Sequence, residues 1–222
     1  MACNGKRDKM RLYGFWRSIA TYRVRVALHL KGLTFEEMDV DLLAGEQFAA
    51  GFEAVNPGHA VPALEIDGRV LTQSLPILEA LDALYPQTPL FPADPFERAV
   101  AVGLALDTIA DAHPLIVPRV RARLAAQFGA NEAAIRDFAA HFLSLTMTTL
   151  EARLADRMTV FAAGDAPGVA DIAIAGHLVS GGFYGVETAA WPNLDALSKR
   201  LFDIDAFSRS HPLERKKISV QG

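Results

Sequence analysis

Cysteine is almost absent: Cys3 is the only one in 222 residues, which excludes an internal disulfide framework and a zinc site built on thiolates. No run approaches the roughly 18 uninterrupted apolar residues of a membrane-spanning helix, and the opening MACNGKRDK has no apolar core of signal-peptide length. The expectation is a soluble, cytoplasmic protein with residues 1–9 as a loose, flexible tail. An excess of one charge is also missing. The 22 Lys and Arg against 26 Asp and Glu give a net charge of −4, spread without blocks, so neither nucleic acid nor a membrane surface is an expected partner. No glycine-rich phosphate loop follows a strand, no Gly-x-Ser-x-Gly turn occurs, and no His, Cys or carboxylate cluster has metal-ligand spacing. Nucleotide, serine-hydrolase and metal readings drop, and small molecules or protein remain as partners.

What is present is enough apolar material, 51% of residues, to fill the cores of two modest domains or one large one. Met10 to Phe15 reads as a strand, Ser18 to Lys31 as a helix stopped by Gly32, and Phe35 to Asp41 as a second strand. Gly45 to Ala54 reads as a short helix or turn, broken by Asn56-Pro57-Gly58. Residues 63–66 and 69–71 around Asp67-Gly68 form a hairpin signal, and Ser74 can cap a helix running to about Leu84 with Pro76 in its first turn. The order is βαβαββα. Four prolines, Pro86, Pro89, Pro92 and Pro95, mark a linker. Beyond it Asp94-Pro95-Phe96-Glu97 looks like a capped helix start, and helical segments fit residues 95–112, 119–127, 131–157, 169–180 and 193–204. In the third, Ile135, Phe138, Phe142, Leu145, Thr149 and Leu154 share one expected apolar face. The expected division is a tail at 1–9, an α/β domain at 10–85, a linker at 86–95 and an all-α domain at 96–222.

The stretch FWRSIATYRVRVAL, residues 15–28, joins the first strand to the first helix through Arg17 and Ser18. A helix start with a hydroxyl and a guanidinium is a natural seat for an anion. Ser18 has two readings. It is an ordinary helix cap, or its hydroxyl donates to a bound thiolate and, with the helix terminus, lowers a thiol pKa from its usual value of about 8.5. Arg17 precedes the helix, where its fork of donors suits a carboxylate; Arg23 and Arg25 read as a solvated face or a structural ion pair. Val61-Pro62 is an edge device or, with a cis bond, a place where Val61 pairs with an extended peptide-like ligand. Gln73-Ser74 is a cap or a carboxylate seat. His113-Pro114 interrupts a helix, and that histidine reads as structural on local grounds.

Together these stretches resemble the cytosolic glutathione transferases, most closely the zeta class of maleylacetoacetate and maleylpyruvate isomerases. The resemblance runs from about Met10 to His211 and is carried by FWRSIATYRVRVAL, EQF at 46–48, NPGHAVPAL at 56–64, QS at 73–74, HP at 113–114, FGANEAAI at 128–135, GDAPGVADIAIA at 164–175 and FSRSHP at 207–212. It implies a thioredoxin-like, glutathione-binding domain followed by an all-helical domain for the second substrate, in a homodimer, with a place in aromatic amino acid catabolism. Carried over, Ser18 stabilises the glutathione thiolate. Val61 and a cis Pro62 pair with the cysteinyl backbone, Gln73 and Ser74 hold the γ-glutamyl end, and Gln47 and His113 reach the rest of the tripeptide. Arg17 and Arg119 hold substrate carboxylates. The implied reaction is cis–trans isomerisation of a maleyl-type diacid, with glutathione conjugation or dehalogenation, and a non-catalytic ligand carrier, as alternatives. The chain departs from the class where Ser18-Ile19-Ala20-Thr21 lacks the further hydroxyl and cysteine of the usual motif. It also lacks a second arginine within GGFYGVETAAWP, residues 181–192. Gly168 stands at a usual Ser or Thr cap, a change expected to cost only a few tenths of a kcal/mol.

Overall fold

The structure, a computed structural model, describes residues 9–219. The expected loose tail lies outside the described residues except for Lys9. That residue is tied to the hairpin: its N–H donates to Asp67 Oδ1 (3.1 Å) and its carbonyl accepts from Asp67 N–H (3.2 Å). The chain packs as two units, one comprising the residues up to Thr88 together with those from Arg209 onward, the other Pro89–Ser208. The segment from residue 209, expected with the helical domain, packs instead with the first unit.

In the first unit the elements are β1 (Met10–Gly14), α1 (Ile19–Leu30), β2 (Glu36–Asp39), a 3-10 turn (Glu46–Phe48), α2 (Ala50–Glu53), β3 (Ala63–Ile66), β4 (Arg69–Thr72) and α3 (Ser74–Leu84). This is the βαβαββα order of a thioredoxin-like domain. The sheet runs β2-β1-β3-β4, with β1 parallel to β2 and the other pairs antiparallel. Asp67 and Gly68 adopt φ of 48° and 80°, the positive values that a two-residue hairpin turn requires. Leu12, Val26, Leu28, Leu64, Ile77, Leu78 and Leu81 are buried between the sheet and the two long helices, where apolar burial drives the packing.

The second unit is helical: α4 (Pro95–Leu106), a π-helical turn (Asp107–Ala112), α5 (His113–Ile116), α6 (Pro118–Phe128), α7 (Glu132–Leu154), α8 (Val169–Tyr184), α9 (Pro192–Phe202) and α10 (Asp205–Ser208). Asp94 caps α4 by accepting from Phe96 and Glu97 N–H, each at 2.9 Å, with Pro95 in the first turn. His113-Pro114 does not interrupt the helix. The chain stays helical from Pro95 to Ile116 because the ladder widens to a π-turn just ahead of the proline, which has no N–H to place in a tight turn. Asp107, in that widened turn, is paired with Arg153 of α7. The stretch Pro95–Ile116 is long and apolar enough to cross a membrane by length and composition; Ala101, Leu104, Ala105, Thr108 and Ala112 on it are buried, and α4 packs on α8. The core face of α7 is Ala139, Leu143, Met147, Leu150 and Leu154. The expected stripe shares only Leu154 with it: Phe138 and Phe142 are half-buried, with ring centroids 4.9 Å apart, and Leu145 is exposed.

Helix α8 is buried from Val169 to Gly181, and its start is closed internally. Asp171 accepts from Ala162 N–H (2.9 Å) and Gly168 N–H (3.0 Å), while Val169 N–H donates to Leu90 C=O (2.8 Å). Burial pushes the Asp171 carboxyl up to about 6, against the lowering effect of those backbone donors. Gly168 is there for space. A Cβ at that position would stand 2.6 Å from the Leu90 carbonyl oxygen, so the missing side chain admits the strand of backbone that satisfies α8. The last element, α11 (Pro212–Ser219), belongs to the first unit.

Candidate active site

Register gathers most of the singled-out residues of the first unit. Gly14 pairs with Asp39, Tyr13 with Ala63, and Ala63 with Thr72. The C-terminal ends of β1, β2 and β4 and the N-terminal end of β3 therefore lie at one edge of the sheet. From that edge lead the turn to Ser18, the loop to Gln47, the Val61-Pro62 bond and the Gln73-Ser74 helix start. His113 and Arg119 lie in the second unit, on α5 and α6.

Ser18 is the N-cap of α1. Its Oγ accepts from Thr21 N–H (3.2 Å), and its carbonyl receives Tyr22 N–H (2.9 Å). The two readings of this residue are compatible, because capping uses the oxygen's lone pairs and leaves the hydroxyl proton to donate elsewhere. The side chain is half-buried and the neighbouring Arg17 exposed. The first-turn amides of Ile19 and Ala20 fall outside the i→i−4 ladder. Thr21 offers no second hydroxyl to a ligand, since its side chain is fully buried; its Oγ1 has no partner among the described residues.

Arg23 and Arg25 are not a solvated face. Both are buried; burial pushes the Arg23 guanidinium down to about 10, and its Nε has no partner among the described residues. Arg25 is the ion-paired one. Its Nε donates to Glu37 Oε1 (2.6 Å), its Nη2 to Phe15 C=O (3.2 Å) and its Nη1 to Trp16 C=O (3.5 Å). Burial lowers its pKa and Glu37 opposes that shift. Sequence reasoning did not foresee that Arg25 holds the two carbonyls directly ahead of Arg17 and Ser18. The available signal was a charged residue within Val24-Arg25-Val26-Ala27, an apolar helix stretch.

The Val61-Pro62 bond is cis, and Val61 sits ahead of the paired stretch that begins at Ala63. Its loop is closed by buried Asn56, whose Nδ2 donates to Ala60 C=O (2.7 Å) and whose Oδ1 accepts from Gly58 N–H (2.9 Å). His59, not singled out from the sequence, spans this loop and the one after β2. Its Nδ1 lies 2.9 Å from the Gln47 carbonyl. A carbonyl only accepts, so Nδ1 carries the proton. The side-chain Oε1 of Gln47 is buried without a partner among the described residues, an acceptor that a donor from a ligand would satisfy.

At α3 the expected cap is displaced by one residue. Ser74 is the first helical residue and is buried, and Gln73 takes the cap position with φ 67° and no side-chain cap bond. That conformation is costly for a non-glycine residue and concentrates at ligand sites. Because Pro76 has no N–H, the donors outside the ladder are the amides of Ser74 and Leu75, with the Ser74 hydroxyl beside them. In the second unit, Arg119 is exposed in the first turn of α6, which has no acidic residue there. A cation at the positive end of a helix is locally unfavourable, and Arg121 Nε nearby is buried without a partner among the described residues. Both features suit an anion. No group of three or more His, Cys, Asp or Glu that could hold a metal occurs among the described residues.

Known proteins resemble this chain over most of its length. The family model described as "Glutathione S-transferase, N-terminal domain" matches residues 18–84. A maleylacetoacetate isomerase of Rhizobium meliloti (strain 1021) is 40% identical over 202 residues, 90% of this chain and 95% of that protein. A crystal structure of maleylacetoacetate isomerase from Methylobacterium extorquens AM1 with bound malonate and glutathione aligns with a TM-score of 0.88 at 42% identity, covering 92% of this chain and 97% of the other. The holo structure of a maleylpyruvate isomerase described as a bacterial zeta-class glutathione S-transferase aligns with a TM-score of 0.89 at 35% identity, covering 92% and 97%. The chain belongs to the glutathione transferases, within the zeta class that includes the maleylacetoacetate and maleylpyruvate isomerases.

Proposed function

We propose that the protein is a glutathione-dependent cis–trans isomerase acting on a small maleyl-type dicarboxylate. The observation that carries this reading is the single sheet edge from which lead a capping hydroxyl with a spare proton, a cis Val61-Pro62 bond and a helix start with open amides. The buried, unpartnered Gln47 Oε1 fits a ligand that brings N–H donors, as a peptide does. Glutathione held there would supply a thiolate nucleophile for reversible addition to a carbon conjugated with a carbonyl.

The chain's own residues hold and orient. Ser18 donates a hydrogen bond from its hydroxyl to the sulfur while remaining tied to Thr21, and the amides of Ile19 and Ala20 add the positive end of α1. Val61 offers its backbone to the cysteinyl unit, Gln73 and Ser74 receive the γ-glutamyl carboxylate, and Gln47 and His113 bind the remainder. Arg17 and Arg119 hold the substrate carboxylates, and such bidentate partners fix orientation as well as charge. The reading also carries a cytoplasmic homodimer, supported by the family and by exposed Phe48, Val70 and Leu84 on the first unit.

The test is a thiolate titration. The wild type, saturated with glutathione, is expected to show thiolate absorbance at neutral pH, and Ser18→Ala to lose it while still being retained on immobilised glutathione. A parallel assay with maleylpyruvate, maleylacetoacetate and an aryl halide settles the substrate class. Preference for the aryl halide, or thiolate absorbance unchanged in Ser18→Ala, would overturn the proposal.

A further inference from the structure

Behind the Ser18 turn lies a line of charged groups that reaches the far end of the chain. Arg25, on α1, holds the carbonyls of Phe15 and Trp16 and is bound to Glu37 Oε1 on β2. The other carboxylate oxygen, Glu37 Oε2, meets Arg215 Nη2 of α11 at 2.7 Å. One residue on, Lys216 Nζ stands 5.2 Å from the centroid of the Trp16 ring. At the opposite end of α1, Ser210 Oγ, fully buried, lies 2.8 Å from His29 Nδ1. The segment from Ser210 to Lys216 thus returns along α1 from its last turn to its first. Gly14 keeps this centre compact, because a Cβ there would meet Thr21 Cγ2 at 2.4 Å and Glu37 Oε1 at 3.4 Å.

The arrangement is interdependent. A guanidinium buried like Arg25 needs a carboxylate, and the carboxylate needs its second oxygen satisfied. Glu37 links the arginine that holds the turn to the arginine of the tail. The side chain of Arg215 is 27% exposed against 1% for Arg25, so the outer member can be altered without opening the core. Asp39 stands nearby, its carboxyl raised by burial and by Glu37 and lowered by Arg215 and Arg25. Without Arg215, Glu37 and Asp39 share Arg25 alone.

We propose that Arg215 is a positioning residue for the Ser18 turn, and that residues 209–216 form a strap whose contact with Glu37 sets, through Arg25, where the Ser18 hydroxyl stands. The catalytic consequence rests on the reading of Ser18 as the thiolate donor; the mechanical one does not. The tail reaches the site by holding the backbone that carries it, and no contact of Arg215 with glutathione or substrate is required.

Two readouts on the full chain test this in Arg215→Ala and Arg215→Gln, with Arg215→Lys as the charge-keeping variant. Hydrogen exchange is expected to rise about tenfold in peptides covering residues 15–18, with little change in the β3–β4 hairpin. Arg215→Lys should restore most of the protection. In the glutathione complex the thiol titration midpoint is expected to move up by about one pH unit, a tenfold change in the ionisation equilibrium. At neutral pH kcat should then fall by up to about tenfold, while the KM for glutathione changes less than about twofold. Unchanged exchange at residues 15–18, or exchange raised equally across the whole first unit, would overturn the strap. A wild type that forms no thiolate defeats the functional reading instead, and the exchange measurement still decides the strap.

Discussion

The starts of α1 and α8 pose the same physical problem and resolve it in opposite ways. Each helix opens with backbone amides that lack intrahelical partners. At α8 the amides of Gly168 and Val169 are taken up internally, by Asp171 and by the Leu90 carbonyl; Asp171 also accepts from Ala162 in the preceding loop and is only 1% exposed. At α1 one hydroxyl, that of Ser18, takes a single amide and keeps its own proton, beside an exposed arginine. The closed start stabilises a core helix and offers nothing to a ligand. The open start gives up some stability and is available for chemistry. The start of α3 is of the open kind, with Gln73 in a strained cap position that makes no cap bond.

The contrast is broken most severely at the closed end. Asp171→Ala strips the acceptor from one buried and one half-buried amide, a buried one costing about 1–3 kcal/mol when left unpaired. The expected loss is about 2–4 kcal/mol in urea unfolding, with glutathione affinity of the folded fraction unchanged. A loss below about 1 kcal/mol would mean that water or another acceptor reaches this site, and that α8 is less closed than its geometry indicates.

The same carboxyl gives a smaller, pH-dependent effect. Its unfolded value is near 3.8 and burial raises the folded value to about 6. Between those values the folded protein holds a proton that the unfolded chain has released, so this group's contribution to stability grows as pH falls from about 6 towards 4. Above 6 the ionised carboxylate is a burden in the folded state. The stability of the wild type relative to Asp171→Asn is therefore expected to decline by about 3 kcal/mol as pH rises through that window. A difference independent of pH would show that the backbone donors offset burial completely.

The open start was legible in the sequence, and its supports were not. FWRSIATYRVRVAL shows a helix start with a hydroxyl because capping is a local matter, decided within four residues, and the cap at Asp94 was readable for the same reason. The sheet that brings Ser18, Val61 and Gln73 to one edge follows from strand order and a two-residue hairpin, both signalled by short-range patterns. Arg25, Glu37 and Arg215 escape such reading because their partners lie 12 and 178 positions apart, and a charged residue in an apolar stretch does not say what it meets. The same limit explains why the residues from 209 on were expected with the second unit: what Ser210 and Arg215 meet lies in the first. The α7 face was missed by about one position, since its polar and apolar residues are mixed around the helix and Phe138 and Phe142 outweigh the smaller Ala139 and Leu143 in any pattern. The shift of the α3 cap from Ser74 to Gln73 depends on a positive φ that composition does not reveal.

The smallest stability effect is expected where the functional effect is largest. Ser18→Ala removes a helix cap, a change worth about 1 kcal/mol. It leaves a single amide, that of buried Thr21, without its acceptor, where Asp171→Ala leaves two. Arg25 still holds the carbonyls of Phe15 and Trp16, so the turn keeps its course. The variant should therefore unfold within about 2 kcal/mol of the wild type while its glutathione thiolate is lost. The opposite pairing, severe destabilisation with the thiolate retained, would make Ser18 a structural cap of the same kind as Asp171. The hydroxyl would then be consumed by its own helix, and the distinction between the two helix starts would disappear.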